Sequence, residues 1–192
     1  MLDNQPNLEA WINGGEVQRY HQWPMCHRQQ TVAEHTFNML LISTHLYFAT
    51  SAKWADGRED YFAEMLALQQ AILFHDVAEG RRGTSDVSAW AKRRSPHIKE
   101  SISWAEAQIA VDFGFDGWIN PYSNRNERRV KMCDKLELMW TVISQLQLGN
   151  TIIFDASWPV IIEMMEEMKS DMEMNELKLY KEWRDRANQI RG

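Results

Sequence analysis

Cysteine is scarce in this chain of 192 residues, and the two present, Cys26 and Cys133, make neither a disulfide framework nor a Cys-x-x-Cys zinc site. A basic surplus is missing as well. Lys and Arg number 21 against 27 Asp and Glu, a formal net charge of −6, which argues against a general nucleic-acid binder needing a basic face for phosphates. No uninterrupted apolar stretch approaches the roughly 20 residues that span a bilayer. The start carries Asp3, Asn4 and Gln5 instead of a basic run before an apolar one, so a signal peptide is not expected. No segment alternates with period two, and there is no repeat or low-complexity tract. These absences leave the expectation of a soluble, cytoplasmic, helical protein in a reducing compartment, with no membrane and no stable nucleic-acid partner.

Apolar residues make up 44% of the chain, enough for a packed globule, and nine Trp and eleven Met suit a helical core with large, adaptable fillers. The length suits one domain with a single sizeable core. A short helix over 7–12 stops at Gly14-Gly15, and a polar, irregular segment runs from Gln18 to about Gln30. Thr31 then caps a helix, with Glu34 completing a capping box and His35 in the first turn. A second helix from about Asp60 runs into His75-Asp76 and breaks at Gly80 and Gly83. Pro96 opens another, through Ile98, Ile102, Trp104 and Ile109. A long amphipathic helix from about Asn126 carries Val130, Cys133, Leu136, Met139, Val142, Ile143 and Leu146 and ends at Gly149. Asp155, Ser157 and Pro159 open a Met-rich helix, and a charged helix through Leu177, Tyr180 and Trp183 closes the chain. The class is all-α, six or seven helices in one domain. Trp158, Met164, Met165, Met168 and Trp183 offer more apolar surface than one small core absorbs, which points to a homo-oligomer.

The centre of this organisation is Ala71-Ile-Leu-Phe-His75-Asp76-Val-Ala-Glu79. In a helix, Glu79 lies four residues from His75 and three from Asp76, so the three side chains share a face. Imidazole and carboxylate are common ligands of a divalent ion, and a further carboxylate beside them can handle water. With His35 and Asp134 there are four candidate ligands. Asp134 borders the apolar stripe of the long helix, where an unpaired carboxylate costs several kcal/mol. A salt bridge to Lys131 or Lys135 and coordination of a metal both answer that cost. A basic run follows Glu79: Arg81, Arg82, Lys92, Arg93 and Arg94 against one acid, Asp86. It reads either as a solvated loop or as a site for a small polyanion.

The order His35, His75-Asp76, Asp134 on helices resembles the HD-domain metal-dependent phosphohydrolases, and more narrowly the small 5′-deoxynucleotidases and the phage dATP triphosphohydrolases. The matching pieces are Val32-Ala-Glu-His35-Thr36, His75-Asp-Val-Ala-Glu79, Ser85-Asp86 with Lys92 six residues on, and Val130-Lys-Met-Cys-Asp134. They spread over about 17–148, leaving C-terminal helices over 158–190 to pack on that core or to form an oligomer contact. The resemblance implies one HD domain in which His35, His75, Asp76 and Asp134 bind one divalent ion (Zn, Co, Mn, Ni or Fe). It implies that Glu79 orients or deprotonates water, and that Arg19 with Tyr20 touches phosphate and base or sugar. Asp86 would contact the deoxyribose, and Lys92 and Lys131 the phosphates. The chain departs from the family pattern after Asp86, reading Val87-Ser-Ala-Trp90, and carries two extra residues between Glu79 and Asp86. Those extra cations, Arg81 and Arg82, favour a deoxynucleoside triphosphate cut at the α phosphorus, dATP by the phage resemblance, with an additional Mg on the polyphosphate. A 5′-deoxynucleotidase acting on monophosphates is the alternative, in which Arg81 and Arg82 face solvent. A nucleotide-binding regulatory metalloprotein and a helical interaction module stay open beside both. The cytoplasm is that of the host cell if the chain is phage-encoded.

Overall fold

The computed structural model describes residues 15–19, 24–26, 28–48, 59–76, 95–98, 100, 101, 104, 108 and 124–192. Among these residues the architecture is all-α, as the sequence implies. Helix α1 spans Val32–Ser43 and continues as a π-helical turn over Thr44–Phe48; α2 spans Glu59–Phe74; α3, the longest, spans Asn124–Gln147. Helix α4 follows over Thr151–Met168, then a 3-10 turn over Lys169–Asp171 and α5 over Met174–Arg191. Residues 96–98, 100, 101, 104 and 108 are helical too, in line with a helix opened by Pro96. The expected helix at 7–12 lies outside the described residues.

The start of α1 is set by its cap. The Thr31 hydroxyl accepts the Glu34 N–H, the Glu34 carboxylate accepts the Thr31 N–H, and His35 is thereby fixed one turn into the helix. Just before it, Arg19 N–H donates to the Gln30 carbonyl at 2.7 Å and Val32 N–H to the Val17 carbonyl at 2.8 Å. An isolated bridge between Gln18 and Thr31 therefore ties the segment carrying Arg19 to the head of α1.

Helix α3 is the axis of the core. Met132, Cys133, Leu136, Met139, Val142 and Ile143 along it are fully buried, packed with Met39 of α1, Leu68 and Ile72 of α2, Met165 of α4 and Tyr180 of α5. Gly149 ends α3 with φ of +86°, the left-handed conformation that glycine adopts without a Cβ penalty. Asn150 then caps α4, its side-chain oxygen accepting the Ile153 N–H.

Helix α4 corrects the expectation that Asp155, Ser157 and Pro159 open it, because Pro159 lies inside the helix. Ile153, Phe154, Trp158 and Ile161 all bury on α3 across that proline, and this packing outweighs the hydrogen bond its missing N–H forfeits. Trp158, Met164 and Met165 are buried in the chain's own core, with Met168 and Trp183 half-buried against it.

An ion network fastens α5 to the rest. Glu176, fully buried, accepts two bonds from the Arg128 guanidinium at 2.8 and 2.9 Å and one from the Tyr47 hydroxyl. Arg129 joins Glu64 of α2 to Glu173 at the head of α5, at 2.7 and 3.0 Å. Among the described residues, no helix is long and apolar enough to cross a membrane.

Candidate metal centre

Three helices and the segment before α1 bring the candidate ligands together. His35 comes from the first turn of α1 and is fully buried. His75 and Asp76 follow α2, which ends at Phe74, so both stand in a turn and not within a helix as expected. The helical spacing expected to put Glu79 on their face runs through residues outside the described ones. Asp134 lies on α3 beside buried Cys133 and one position before Lys135.

The donor atoms converge. His35 Nε2 lies 3.3 Å from His75 Nε2, and 3.5 Å from both Asp76 Oδ2 and Asp134 Oδ1. His75 Nε2 lies 3.2 Å from Asp76 Oδ2. Donors about 2.1 Å from a shared ion stand roughly 3.0–3.4 Å apart at tetrahedral or octahedral angles, close to these separations. The donor atoms of His35, His75 and Asp134 all lie within 4.8 Å of one another, a group that could hold a metal ion.

Each ring is held from behind. His75 Nδ1 is 2.6 Å from the Ile72 carbonyl, which can only accept, so that nitrogen carries the proton. His35 Nδ1 is 2.8 Å from the buried carboxylate of Glu137. Both Nε2 atoms therefore face the cluster. Arg19 closes it from the side, with Nη1 3.1 Å from Asp76 Oδ2 and Nη2 3.8 Å from Asp134 Oδ1.

The electrostatics follow from this crowding. Burial opposes charge on His75, but the carboxylate of Asp76, then that of Asp134 and the Ile72 carbonyl outweigh it and raise the imidazole to about 9. Burial also opposes ionisation of Asp76, yet His75, Arg19 and His35 hold its carboxyl far below the usual range. Asp134 is likewise lowered against its burial, by Lys135, His35 and Arg19. In the metal-free chain, then, protonated His75 and Arg19 balance two carboxylates.

Of the substrate contacts implied by resemblance, Arg19 is at the cluster. Lys131 pairs with Glu127 on the exposed side of α3, at 2.5 Å. Asp134 takes its salt bridge from Lys135, also at 2.5 Å, while remaining in the cluster, so the two explanations for this carboxylate are not exclusive. Tyr20, Glu79, Arg81, Arg82, Asp86 and Lys92 lie outside the described residues. Glu137, Gln30, Asn38 and Thr141, which support the back of His35, were not singled out from sequence. Glu137 had a usable signal, being a second carboxylate one turn from Asp134 on the same apolar-flanked face. Comparison of the chain with protein-family models, curated proteins and solved structures finds no match.

Proposed function

We propose that this chain is a metal-dependent phosphohydrolase of deoxynucleotides, built on an HD-type set of ligands: His35, His75, Asp76 and Asp134 around one divalent ion. The orientation of the two imidazoles carries the proposal. With each Nδ1 committed to an acceptor, the two Nε2 atoms face each other across 3.3 Å, flanked by carboxylate oxygens. That arrangement is repulsive without a cation or a proton in its midst, and it suits a cation with mixed nitrogen and oxygen preference: Zn, Mn, Co, Ni or Fe(II). Such an ion supplies Lewis acidity toward a phosphoryl group and acidifies water.

The chain's own residues define the rest. Arg19 borders both Asp76 and Asp134, where its planar guanidinium can take two nonbridging phosphate oxygens as a fork. Glu79, three residues past Asp76, is assigned by family resemblance to hold the water. Asp86, Lys92 and Tyr20 carry sugar, phosphate and base contacts on the same ground, and Lys131 is one turn from Asp134 on α3. Arg81 and Arg82 favour the triphosphate, with nucleoside and triphosphate as products.

The test is a panel of deoxy- and ribonucleoside mono- and triphosphates, assayed with Mn, Co, Ni, Zn, Fe(II) and Mg. Release of intact triphosphate from a deoxynucleoside triphosphate, lost in Glu79→Gln, is the expected result. Hydrolysis of monophosphates alone would shift the assignment to a 5′-deoxynucleotidase. Nucleotide binding without turnover under any ion would refute the hydrolase and leave a regulatory metalloprotein.

A further inference from the structure

Glu137 lies one turn beyond Asp134 on α3, and its side chain is fully buried. A carboxylate in that position costs several kcal/mol unless it is well satisfied. Four donors reach it. His35 Nδ1 meets Oε2 at 2.8 Å, while Gln30 Nε2, Asn38 Nδ2 and Thr141 Oγ1 meet Oε1 at 2.6, 3.1 and 3.1 Å. The three neutral donors would serve a purely structural node. The fourth differs, because the opposite nitrogen of that ring stands in the candidate metal centre.

We propose that Glu137 is a positioning residue for the metal centre: it holds His35 as the Nδ1–H tautomer, aims Nε2 at the ion and strengthens it as a donor. The inference rests on the metal-binding reading of the cluster. Gln30 extends the same device. Its side chain donates to Glu137 while its carbonyl accepts the Arg19 N–H at 2.7 Å, so one carboxylate references both the ligand His35 and the segment bearing Arg19.

Cobalt(II) is the probe, because its visible spectrum reports the ligand field. Affinity and spectrum are measured for the wild-type chain, Glu137→Gln and Asn38→Leu. Glu137→Gln is expected to bind cobalt about 10–100-fold more weakly, with an altered spectrum. Asn38→Leu removes a neutral donor and spares the His35 bond, so its affinity should change about threefold or less with the spectrum retained. Equal losses in the two variants, or wild-type behaviour of Glu137→Gln, would overturn the positioning role alone. A wild-type chain that takes up no cobalt would overturn the metal reading itself. Should Glu137→Gln fail to fold, proton–nitrogen NMR of the zinc-loaded wild type decides. A slowly exchanging proton on His35 Nδ1 supports the proposal, and a proton on Nε2 defeats it.

Discussion

Filling the cluster with a divalent ion at pH 7.5 is expected to expel about one proton per ion, and the magnitude follows from His75. Its imidazole is raised to about 9 in the metal-free chain, so about 97% of molecules carry that proton at pH 7.5. A coordinating imidazole must be neutral. The proton then competes with the ion, weakening its apparent affinity about 30-fold at pH 7.5 and about tenfold more per unit of further acidification. Calorimetric titration with zinc or cobalt, repeated in buffers of different ionisation enthalpy, counts the protons directly. The number should fall toward one half near pH 9. Metal binding that releases no proton and is flat between pH 7 and 9 would refute the reasoning, because His75 would then be either unprotonated or not a ligand. The same shift has a sign for stability. A value raised from 6.5 to about 9 means that His75 contributes stability fully below pH 6.5, lost as pH rises through 9. The contribution is at most about 3 kcal/mol. Thermal melts of the metal-free chain should therefore decline across that window.

Three further outcomes are expected. Lys135→Met removes the salt bridge of Asp134 and leaves its place beside His35, so the ion should bind as well or better; a loss comparable to that of Asp134→Asn, measured by the same titration, would make the salt bridge the true role. Glu176→Gln keeps shape but strips charge from the bonds to Arg128, and should cost about 1.5–3 kcal/mol in denaturant unfolding. No loss would show the buried network to be neutral. Gly149→Ala meets nothing within 4 Å and pays for φ of +86° alone, about 1 kcal/mol by the same measurement.

Several parts of this molecule were legible before any coordinates. Thr31 and Glu34 announced the head of α1 because a capping box is a local pattern, and His35 followed from it. Asp134 stood out as a carboxylate within an apolar stripe. Sequence was less able to show where packing overrides a local signal. Pro159 looked like a helix start, yet apolar positions on both sides of it bury on α3 and carry the helix through. The helix ends at Phe74, just ahead of His75-Asp76, so these two stand in a turn where the apolar run alone had suggested a continuing helix. Glu137 was hidden for another reason. Its partners Gln30 and Asn38 are 107 and 99 residues away, and only the docking of α1 on α3 joins them. Likewise Arg128 and Arg129 look like ordinary surface charge until α5 brings Glu173 and Glu176 against them.

The central claim is that four side chains share one ion, and X-ray absorption at the metal edge of the zinc- or cobalt-loaded chain reads that shell directly. One ion per chain should show two imidazole nitrogens and carboxylate oxygens at about 2.0–2.2 Å, with one imidazole lost in His35→Ala. A sub-stoichiometric ion, or a shell without histidine, would contradict it.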